Sequence, residues 1–412
     1  MDVKPTAQIL YITYDGLTDP LGQSQIIPYL QGLSRYGYNF TILSFEKKNR
    51  FRKEEKNIRQ LLDACHIKWE PLSFSKRPPL LSKLYDTLRM RYKAFSLNRK
   101  NHFDMVHCRS YLAADVGLAM KKKLGVKFFF DMRGFWADEK KDGGAWNQNN
   151  PIFKKVYKYY KQKETAFLSR ADFIVLLTEV AKEEIKKWPS YNPAIPVSVI
   201  PCCADMDVFS LTSPNQKITG RKLLNLPDDG RLIISYLGSI GSWYMLDEML
   251  IMFKRIKQSY SSALFLFVTH SNPSIILKKL PKYDLSSSDI FIVEADRKNV
   301  PLYIKASDIN ISFIKPVYSK LSSSPTKIGE VLSMGIPMIV NAGVGDVEQI
   351  ISQSKGGITI NQFSEDEYKR VVSAIPQLLA INPGDIRGNV KDIFDLQKGI
   401  ATYLEAYCQL LN

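Results

Sequence analysis

Short runs of apolar, β-branched and aromatic residues alternate with amphipathic helical stretches along almost the whole chain. This alternation is typical of parallel α/β layers, in which a helix crosses back over the sheet after each strand. It occurs in two series separated by residues 200–216, which are rich in turn-forming residues and show no clear period. We therefore expect an α/β chain of two doubly wound domains that face each other across a cleft, with ligands at the carboxyl ends of the strands.

Each series contains five predicted strands. In the first they are Gln8–Thr13, Asn39–Phe45, Met105–Cys108, Lys127–Asp131 and Phe173–Leu177, with helices at about 23–36, 51–65, 80–100, 110–123 and 152–170. In the second they are Leu232–Tyr236, Leu264–Val268, Ile290–Val293, Ile309–Phe313 and Pro337–Val340. A long amphipathic helix at about 395–411 closes the chain. We place the domain boundary between residues 208 and 209.

Length and composition agree with two domains in a soluble protein. The 412 residues, of which 45% are hydrophobic, suffice for two separate cores. The longest apolar run, Ala263–Val268, is far shorter than the roughly 20 residues of a membrane-spanning helix. The N-terminus lacks the pattern of an export signal, and the five scattered cysteines are typical of reduced thiols. We expect a cytoplasmic protein.

The positive charge is concentrated in one half of the chain. Residues 1–200 hold 35 Lys and Arg against 20 Asp and Glu, whereas residues 201–412 hold 22 against 21. Such asymmetry indicates that the two halves bind different partners. Anionic lipid headgroups, nucleic acid and a phosphorylated small molecule are all candidate partners of the first half.

The predicted helix at 80–100 carries an apolar stripe with cations beside it. Two interpretations remain open. The stripe packs on the domain core, which we favour for the helix taken alone, or it lies in a lipid interface with its cations toward the headgroups. The surplus positive charge of residues 1–200 favours the lipid interface. The apolar residues are Leu81, Leu84, Tyr85, Leu88, Tyr92 and Phe95, and the cations are Lys83, Arg89, Lys93 and Lys100.

The segment 312–346 is the most informative for chemistry. A small-residue loop precedes a helix for which Ser324 is a favourable cap and Pro325 a favourable first residue. The backbone N–H groups at such a helix start suit a phosphate, so we expect a phosphate group to bind at Ser323, Ser324, Pro325 and Thr326. Lys315, Lys320 and Lys327 would add positive charge there.

Glu330 follows in the same helix. A carboxylate at this position can accept two hydrogen bonds from a ribose diol, as acidic residues do in other nucleotide-binding folds. The alternative is an ordinary capped helix with solvated lysines. The coincidence of loop, cap, cations and carboxylate favours a nucleotide site.

Two glycine-containing loops each give a weaker signal. In the loop at 236–244, Gly238 and Gly241 permit close approach of the backbone and Ser239 can donate to a phosphate. In the loop at 14–25, Gly16 and Gly22 open a helix. Such loops are common in folds of this class, so neither identifies a ligand alone.

Taken together, these segments resemble glycosyltransferase family 4, whose members are retaining enzymes of the GT-B fold. The resemblance rests on the Gly22 loop, the His107-Cys108-Arg109 strand end, IPCCADMDVF (200–209), LGSIGSWYMLDEML (237–250), and SSSPTKIGEVLSMGIPMIV (322–340) ahead of GVGDVEQII (343–351). It implies two Rossmann-like domains, with the acceptor on the first and a nucleotide diphospho-sugar on the second. It further implies that no metal or other cofactor is required, and that the closing helix, 395–412, crosses back to the first domain.

The chain departs from the family pattern at the donor site. The second glutamate of the family signature corresponds to Glu330, but the first falls on Ser322. The Arg and Lys that usually hold the diphosphate fall on Ser239 and Tyr244. Because a departing diphosphate needs positive charge directed at it, we hypothesise that Lys315 and Lys327 replace the missing pair.

In the first domain, His107 and Arg109 end one predicted strand, and DMRGFWADE (131–139) follows the next. Arg133 stands roughly where the family often has a histidine near the acceptor hydroxyl. An arginine cannot act as a base near neutral pH, so it would stabilise charge or bind an anionic acceptor. Candidate acid or base groups are Asp131, Asp138 and Glu139. A buried histidine without a catalytic role remains an alternative for His107, as does a solvated helix start for Asp138 and Glu139.

The resemblance implies a retaining transfer of sugar from a UDP- or GDP-linked donor to a hydroxyl of a glycan acceptor. The basic first half favours an acceptor linked to polyprenyl phosphate, as in surface polysaccharide assembly, and attachment to the inner membrane face stays open. Asp205-Met206-Asp207 has the spacing of a metal site, but it lies in the linker, and we expect no metal. We expect no nucleic acid partner. The alternatives are a GT-B sugar-nucleotide epimerase and a non-catalytic protein that binds membranes or nucleic acid.

Overall fold

The structure is a computed structural model that describes residues 7–411. The chain divides into two compact units. The first comprises residues 7–201 with 396–411, and the second comprises Cys202–Asp395. The first part of the first unit therefore ends at residue 201, slightly earlier in the chain than the predicted boundary after residue 208.

The first unit is built on a seven-stranded parallel sheet with the order β3-β2-β1-β4-β5-β6-β7. The five predicted strands are all present, and the structure adds two edge strands, β3 and β7. Both were missed because they are half-exposed, and β3 contains Pro71 while β7 has only three residues. The strands are β1 Ala7–Thr13, β2 Tyr38–Glu46, β3 Lys68–Ser73, β4 Met105–Arg109, β5 Lys127–Asp131, β6 Phe173–Leu176 and β7 Val197–Val199.

The helices of this unit lie close to their predicted positions, with one interruption. The helix predicted at 23–36 is broken at Ile26, because Pro28 lacks the backbone N–H that a continuous helix would need. The helices are α1 Pro20–Gln25, α2 Ile27–Ser34, α3 Lys48–Asp63, α4 Pro79–Asn101, α5 Ser110–Leu124, α6 Trp136–Asp142, α7 Pro151–Leu168 and α8 Glu179–Lys186.

The second unit is built on a six-stranded parallel sheet with the order β10-β9-β8-β11-β12-β13. Its edge strand β13 was not predicted, since its burial is partial and it begins at a glycine. The strands are β8 Ile233–Leu237, β9 Leu264–Val268, β10 Ile290–Val293, β11 Ile309–Ser312, β12 Met338–Asn341 and β13 Gly357–Ile360. The helices are α9 Pro214–Leu223, α10 Leu246–Ser259, α11 Ser274–Leu277, α12 Val300–Ile304, α13 Thr326–Ser333, α14 Val347–Ser354, α15 Glu365–Leu379 and α16 Pro383–Phe394.

The closing helix, α17 (Leu396–Leu411), belongs to the first unit although it follows the second in the chain. It packs closely on α2, where a Cβ on Gly32 would lie 2.3 Å from a side-chain carbon of Ile400. Tyr403 and Tyr407 on its inner side are buried. The helix therefore completes the core of the first unit.

The packing of α4 differs from the interpretation that we favoured for it. Leu81, Leu84, Tyr85, Leu88 and Tyr92 are 57–79% exposed, so the expectation that the apolar stripe packs on the core was wrong. The covered face of the helix instead carries smaller or polar side chains, Ser82, Asp86, Met90, Ala94 and Leu97. Asp86 is fully buried because it accepts hydrogen bonds from the Tyr14 hydroxyl (2.9 Å) and the Ser75 backbone N–H (3.0 Å). Helical periodicity indicated which residues share a face, but not which face is covered.

Among the helices of residues 7–411, none combines the length and the apolar character that crossing a bilayer demands.

Candidate functional site

Two loops meet at the carboxyl edge of the second sheet. Strands β8 and β11 are parallel neighbours, so the loops that follow them leave the sheet on the same side. The backbone N–H of Lys315 donates to the carbonyl of Trp243 at 2.9 Å, and that of Met245 donates to the carbonyl of Phe313 at 3.1 Å. These bonds join the end of the predicted loop at 236–244, and Met245 directly after it, to the segment that leads into α13.

Gly238 permits a close approach in this arrangement. Its φ is +121°, which disfavours a side chain, and a Cβ there would lie 3.0 Å from Nζ of Lys327. The hydroxyl of Tyr236 donates to the carbonyl of Ser239 at 2.7 Å and thereby fixes the turn. Ser239 and Gly241 are exposed in the same loop, and nothing lies within 4 Å of a Cβ placed on Gly241.

Lys327, in the first turn of α13, points its ammonium group at this loop. Nζ donates to the Tyr236 hydroxyl at 3.1 Å and lies 4.2 Å and 4.0 Å from the ring centroids of Tyr236 and Tyr244. Burial lowers the pKa of Lys327 to about 7, although the carboxylate of Glu330 acts in the opposite direction. Within residues 7–411, no carboxylate oxygen lies within 4 Å of this ammonium group. The side chain is thus an amine of lowered pKa that is held by aromatic rings beside a glycine turn.

The start of α13 differs in detail from the prediction. Pro325, rather than Ser324, is the N-cap residue, and of the side chains that the structure describes none caps the helix. The Ser324 hydroxyl accepts a hydrogen bond from the backbone N–H of Cys202 at 3.1 Å, so it is engaged outside the helix. Ser323 and Thr326 flank this start and are half-buried. The first turn of the helix thus carries no side-chain cap that would compete with an anionic ligand.

Glu330 is buried and already has a cationic partner. Arg297 Nη1 lies 2.5 Å from its Oε1, and the same guanidinium stacks over Phe209 at 4.8 Å. Burial raises the pKa of Glu330, and Arg297 and Lys327 only partly offset that effect. Arg297 lies in the loop after β10, and no signal in the sequence connects it with Glu330. In the structure, the predicted ribose ligand is an ion-paired carboxylate.

The two other predicted cations differ in exposure. Lys315 is exposed, whereas Lys320 is buried and its Nζ lies 3.9 Å from the ring centroid of Trp243. Ser322, at the position of the family's first glutamate, is buried and donates to the carbonyl of Ser319 at 2.9 Å. Its hydroxyl is therefore turned into the loop.

A second cluster of charged side chains lies at the carboxyl edge of the first sheet. The carboxylate of Asp131, at the end of β5, is 3.6 Å from His107 Nε2, 3.6 Å from Arg109 Nη1 and 3.8 Å from Arg133 Nη1. Arg133, the second residue after the strand ends, has a φ of +56°, the left-handed conformation. The structure thus brings together four of the predicted residues of the first domain.

The tyrosines of α17 close this cluster. The Tyr407 hydroxyl lies 2.6 Å from His107 Nδ1, and the Tyr403 hydroxyl donates to Asp131 Oδ2 at 3.1 Å. Sequence reasoning did not single out either tyrosine, since they are some 270–300 residues away along the chain. Together they cover the end of β4 and β5.

Burial decides the electrostatics of this cluster. His107 and Arg109 are only 2% and 3% exposed. Burial lowers the pKa of His107, against the opposing effect of Asp131. Burial acts to raise the pKa of Asp131, but Arg133, His107 and Arg109 outweigh it and the pKa is lowered. The geometry agrees with the alternative of a buried histidine held by its neighbours, and the catalytic role of His107 and Arg109 stays a prediction.

Asp138 is held apart from this cluster. It accepts hydrogen bonds from the Tyr157 hydroxyl (2.7 Å) and from Lys161 Nζ (3.0 Å), and it is 2% exposed. A carboxylate with these two partners holds α6 against α7. A role for it as an acid or base stays a prediction, without support from this arrangement.

Gly22 lies on α1 in the first unit. A Cβ on it would come 2.2 Å from the carbonyl oxygen of Gly16, so a larger residue would displace the backbone of the preceding loop. The glycine is thus explained by packing, and its predicted part in donor binding stays a prediction.

The Asp205-Met206-Asp207 segment forms a turn. Asp205 Oδ1 accepts from the backbone N–H groups of Asp207 (3.0 Å) and Val208 (3.2 Å). Among residues 7–411, no three His, Cys, Asp or Glu side chains are grouped so that they could hold a metal ion.

Comparison with known proteins gives one match to a protein family. Residues 27–208 match the family model described as Glycosyltransferase Family 4. Among curated proteins, no sequence matches the chain.

Several solved structures share the whole fold. Sucrose-phosphate synthase from Thermosynechococcus elongatus is 16% identical over 98% of this chain and 99% of that chain, with a TM-score of 0.69. Anabaena HepE, crystallised with UDP and glucose, is 12% identical over 98% and 100%, with a TM-score of 0.70. WaaG, a glycosyltransferase involved in lipopolysaccharide biosynthesis, is 13% identical over 97% and 99%, with a TM-score of 0.68. At these identities the likeness shows the fold, which is GT-B.

Proposed function

We propose that this chain is a retaining glycosyltransferase that transfers a sugar from a nucleotide diphospho-sugar to a hydroxyl of a glycan acceptor. The match of residues 27–208 to the glycosyltransferase family 4 model and the GT-B fold support the transferase activity; the donor, acceptor and stereochemistry go beyond these comparisons. The observation that carries it is the arrangement of α13, which places Lys327 against the Gly238 turn and Glu330 one helical turn farther along. The cation and the uncapped helix start match the diphosphate of a nucleoside diphosphate, and the carboxylate matches its ribose diol.

The diphosphate would bind between the start of α13 and the loop at 238–241. Lys327 would supply the positive charge that the family's Arg and Lys provide elsewhere, with the exposed Lys315 as a second cation. Glu330 would accept hydrogen bonds from the ribose diol once Arg297 yields. We propose UDP as the nucleotide, because the structurally similar HepE was crystallised with UDP and glucose.

In the reaction, the bond between the anomeric carbon and the diphosphate breaks as the acceptor hydroxyl attacks from the same face. Negative charge then grows on the departing diphosphate, and Lys327 stabilises it electrostatically. The protein also orients the two substrates, which removes much of the entropic cost of bringing them together. In this proposal neither a metal ion nor another cofactor takes part.

We further propose that the acceptor is linked to polyprenyl phosphate at the cytoplasmic face of a membrane, in the biosynthesis of a surface polysaccharide. The exposed apolar face of α4 supports this proposal. Residues 76–100 contain eight Lys and Arg and one acidic residue, Asp86, which is buried. Exposed apolar side chains among cations suit a peripheral helix on an anionic bilayer.

The transfer is tested by incubating the protein with a panel of UDP- and GDP-sugars and measuring the nucleoside diphosphate released. UDP should also raise the melting temperature by mass action. Lys327→Met should abolish most of the release, whereas Lys278→Met, which removes an exposed lysine of the same unit, should not. A sugar-nucleotide epimerase would interconvert donors without stoichiometric release of UDP upon acceptor addition, and that result would replace the proposal.

Membrane attachment is tested by flotation with anionic and neutral liposomes. The wild type should float with anionic vesicles, and Leu84→Asp with Tyr92→Asp should remain at the bottom. Leu223→Asp is the matched control, because Leu223 is 56% exposed and lies in the second unit. Absence of the wild type from both vesicle types would contradict the proposal.

A further inference from the structure

Trp136 lies at the carboxyl edge of the first sheet, five residues after β5 ends. Its indole ring packs against Trp146 (5.3 Å between centroids) and Tyr160 (4.9 Å), and lies 5.7 Å from Tyr111. Trp146 is buried, whereas Trp136 and Tyr160 are half-exposed. The three rings form a fixed aromatic surface that is partly open to solvent.

Two lysines from different helices approach this surface. Lys83 Nζ on α4 is 5.4 Å from the Trp136 ring centroid, and Lys140 Nζ on α6 is 5.6 Å from it. Across residues 7–411, no carboxylate oxygen comes within 4 Å of either ammonium group. The nearby Asp138 has Lys161 and Tyr157 as partners instead.

The two ammonium groups also oppose each other. Burial, and next the charge of Lys140, lower the pKa of Lys83 to about 8. Contact with the indole face compensates only a small part of such a cost at a partly exposed site. Two like charges gathered at one ring without a counter-ion are the arrangement expected of a site whose counter-ion is a ligand.

We propose that Lys83, Lys140 and Trp136 form a subsite for the phosphate or diphosphate group of a lipid-linked acceptor. The inference rests on the proposed function, because it names the part of the acceptor that this edge of the first unit would hold. Two ammonium groups match the two negative charges of a phosphate monoester or a diphosphate diester, and lysine is a common phosphate ligand.

The source of the phosphate follows from what lies beside the lysines. Leu84 and Tyr85 come directly after Lys83 on α4 and are 58% and 57% exposed. A lipid attached to the bound phosphate could therefore continue along the apolar face of that helix. A free phosphate would use the lysines but gain nothing from this face.

The test is a calorimetric titration with farnesyl diphosphate, inorganic pyrophosphate and farnesol, followed in parallel by tryptophan fluorescence. Farnesyl diphosphate should bind more tightly than pyrophosphate, and farnesol should bind least. Lys83→Gln combined with Lys140→Gln should weaken farnesyl diphosphate binding at least tenfold. Trp136→Phe should remove the fluorescence response. Lys122→Gln, at an exposed lysine of α5, should leave the affinity unchanged.

Unchanged affinity in the double variant would overturn the subsite. Loss of binding in Lys327→Met instead would also overturn it, because the probe would then occupy the donor site. Equal affinities for pyrophosphate and farnesyl diphosphate would overturn the assignment to a lipid-borne phosphate. Thermal stabilisation by UDP, measured on the same proteins, reports on the proposed function separately, since it depends on the second unit. Retained UDP binding in the double variant also shows that this variant is folded.

Discussion

Each unit buries charged side chains at the carboxyl edge of its sheet, but the charges are balanced differently. In the first unit, Asp131 lies within 4 Å of nitrogen atoms from three basic residues and accepts a hydrogen bond from Tyr403. In the second unit, Lys327 meets two aromatic rings and a hydroxyl. The pKa of Asp131 is lowered, so its charge is stabilised, whereas the pKa of Lys327 is lowered and its charge is destabilised.

From this contrast we infer a structural role for Asp131, and the proposed function assigns Lys327 to donor binding. A buried charge that is neutralised by its neighbours stabilises the fold and has little left to offer a ligand. A buried cation without a contacting carboxylate is costly in the free protein and gains most when an anion binds. Buried charge alone therefore does not mark an active site; the missing counter-charge does.

The largest effect is expected from Asp131→Asn. This change leaves His107 and the two arginines buried without their carboxylate, and breaking such a cluster costs about 3–5 kcal/mol of unfolding free energy. Urea denaturation measures it, with Asp63→Asn at an exposed aspartate as the control. A loss below about 1 kcal/mol would contradict the structural role.

Lys327→Met should instead slow turnover without lowering the free energy of unfolding. Removal of one group that stabilises a developing negative charge typically slows turnover by about 10²–10³-fold. The free energy of unfolding should stay equal or rise, because a buried ammonium is replaced by an apolar side chain of similar length. Release of UDP and urea denaturation of the same preparation measure the two quantities. A destabilised variant with normal turnover would place Lys327 in the structural class with Asp131.

The pH dependence of Lys327 should separate activity from stability. Its pKa is about 7 in the folded chain against an ordinary 10.5, so the unfolded state binds more protons between these values. This residue therefore makes the free energy of unfolding increase as pH rises from 7 to 10.5. The ammonium form is lost over the same range, so kcat/KM for the donor should fall by about tenfold per pH unit above 7.

Lys327→Arg is the control for the pH dependence of both the free energy of unfolding and kcat/KM, because a guanidinium does not titrate in this range. In this variant, residue 327 should no longer contribute to the pH dependence of the free energy of unfolding or of kcat/KM. A wild-type kcat/KM that stays flat from pH 6 to 9 would rule out the protonated lysine as the required form.

A smaller effect is expected from Glu330→Gln. Hydrogen bonds to a charged group contribute about 1.5–3 kcal/mol, and release from Arg297 offsets part of that, so UDP should bind about tenfold more weakly. Isothermal titration with UDP and with its 2′,3′-dideoxy analogue isolates the ribose contact. The wild type should prefer UDP and the variant should not. If both proteins preferred UDP to the same extent, Glu330 would not be the residue that binds the ribose.

The smallest effect is expected from Tyr407→Phe. It removes one buried hydroxyl beside His107 and should cost about 1 kcal/mol of unfolding free energy, with turnover unchanged. Urea denaturation and the rate of UDP release check the two parts. A large loss of turnover would assign the His107 cluster to catalysis and remove the contrast between the units.

The α/β class, the division into two domains and the central strands were predictable from sequence periodicity, and the resemblance to a known family added the GT-B fold. β9 was predicted at its observed bounds because all five of its residues are buried, and a continuous apolar run admits few other interpretations. The edge strands β3, β7 and β13 were missed because half-exposed strands lack that signal. The start of α13 was predicted because its proline, its small-residue loop and its lysines are local features, although the predicted cap, Ser324, was wrong.

Which charged side chains lie together became known from the folded chain alone. Nothing in the local pattern connects Arg297 with Glu330, the tyrosines of α17 with His107 and Asp131, or Lys83 with Trp136. Helical periodicity also could not predict which face of α4 stays exposed, because both faces of this helix carry apolar residues. Burial and counter-charge depend on packing between segments far apart in the chain. For that reason a sequence can identify candidate charged residues, whereas the fold determines which of them have a neighbouring counter-charge and which do not.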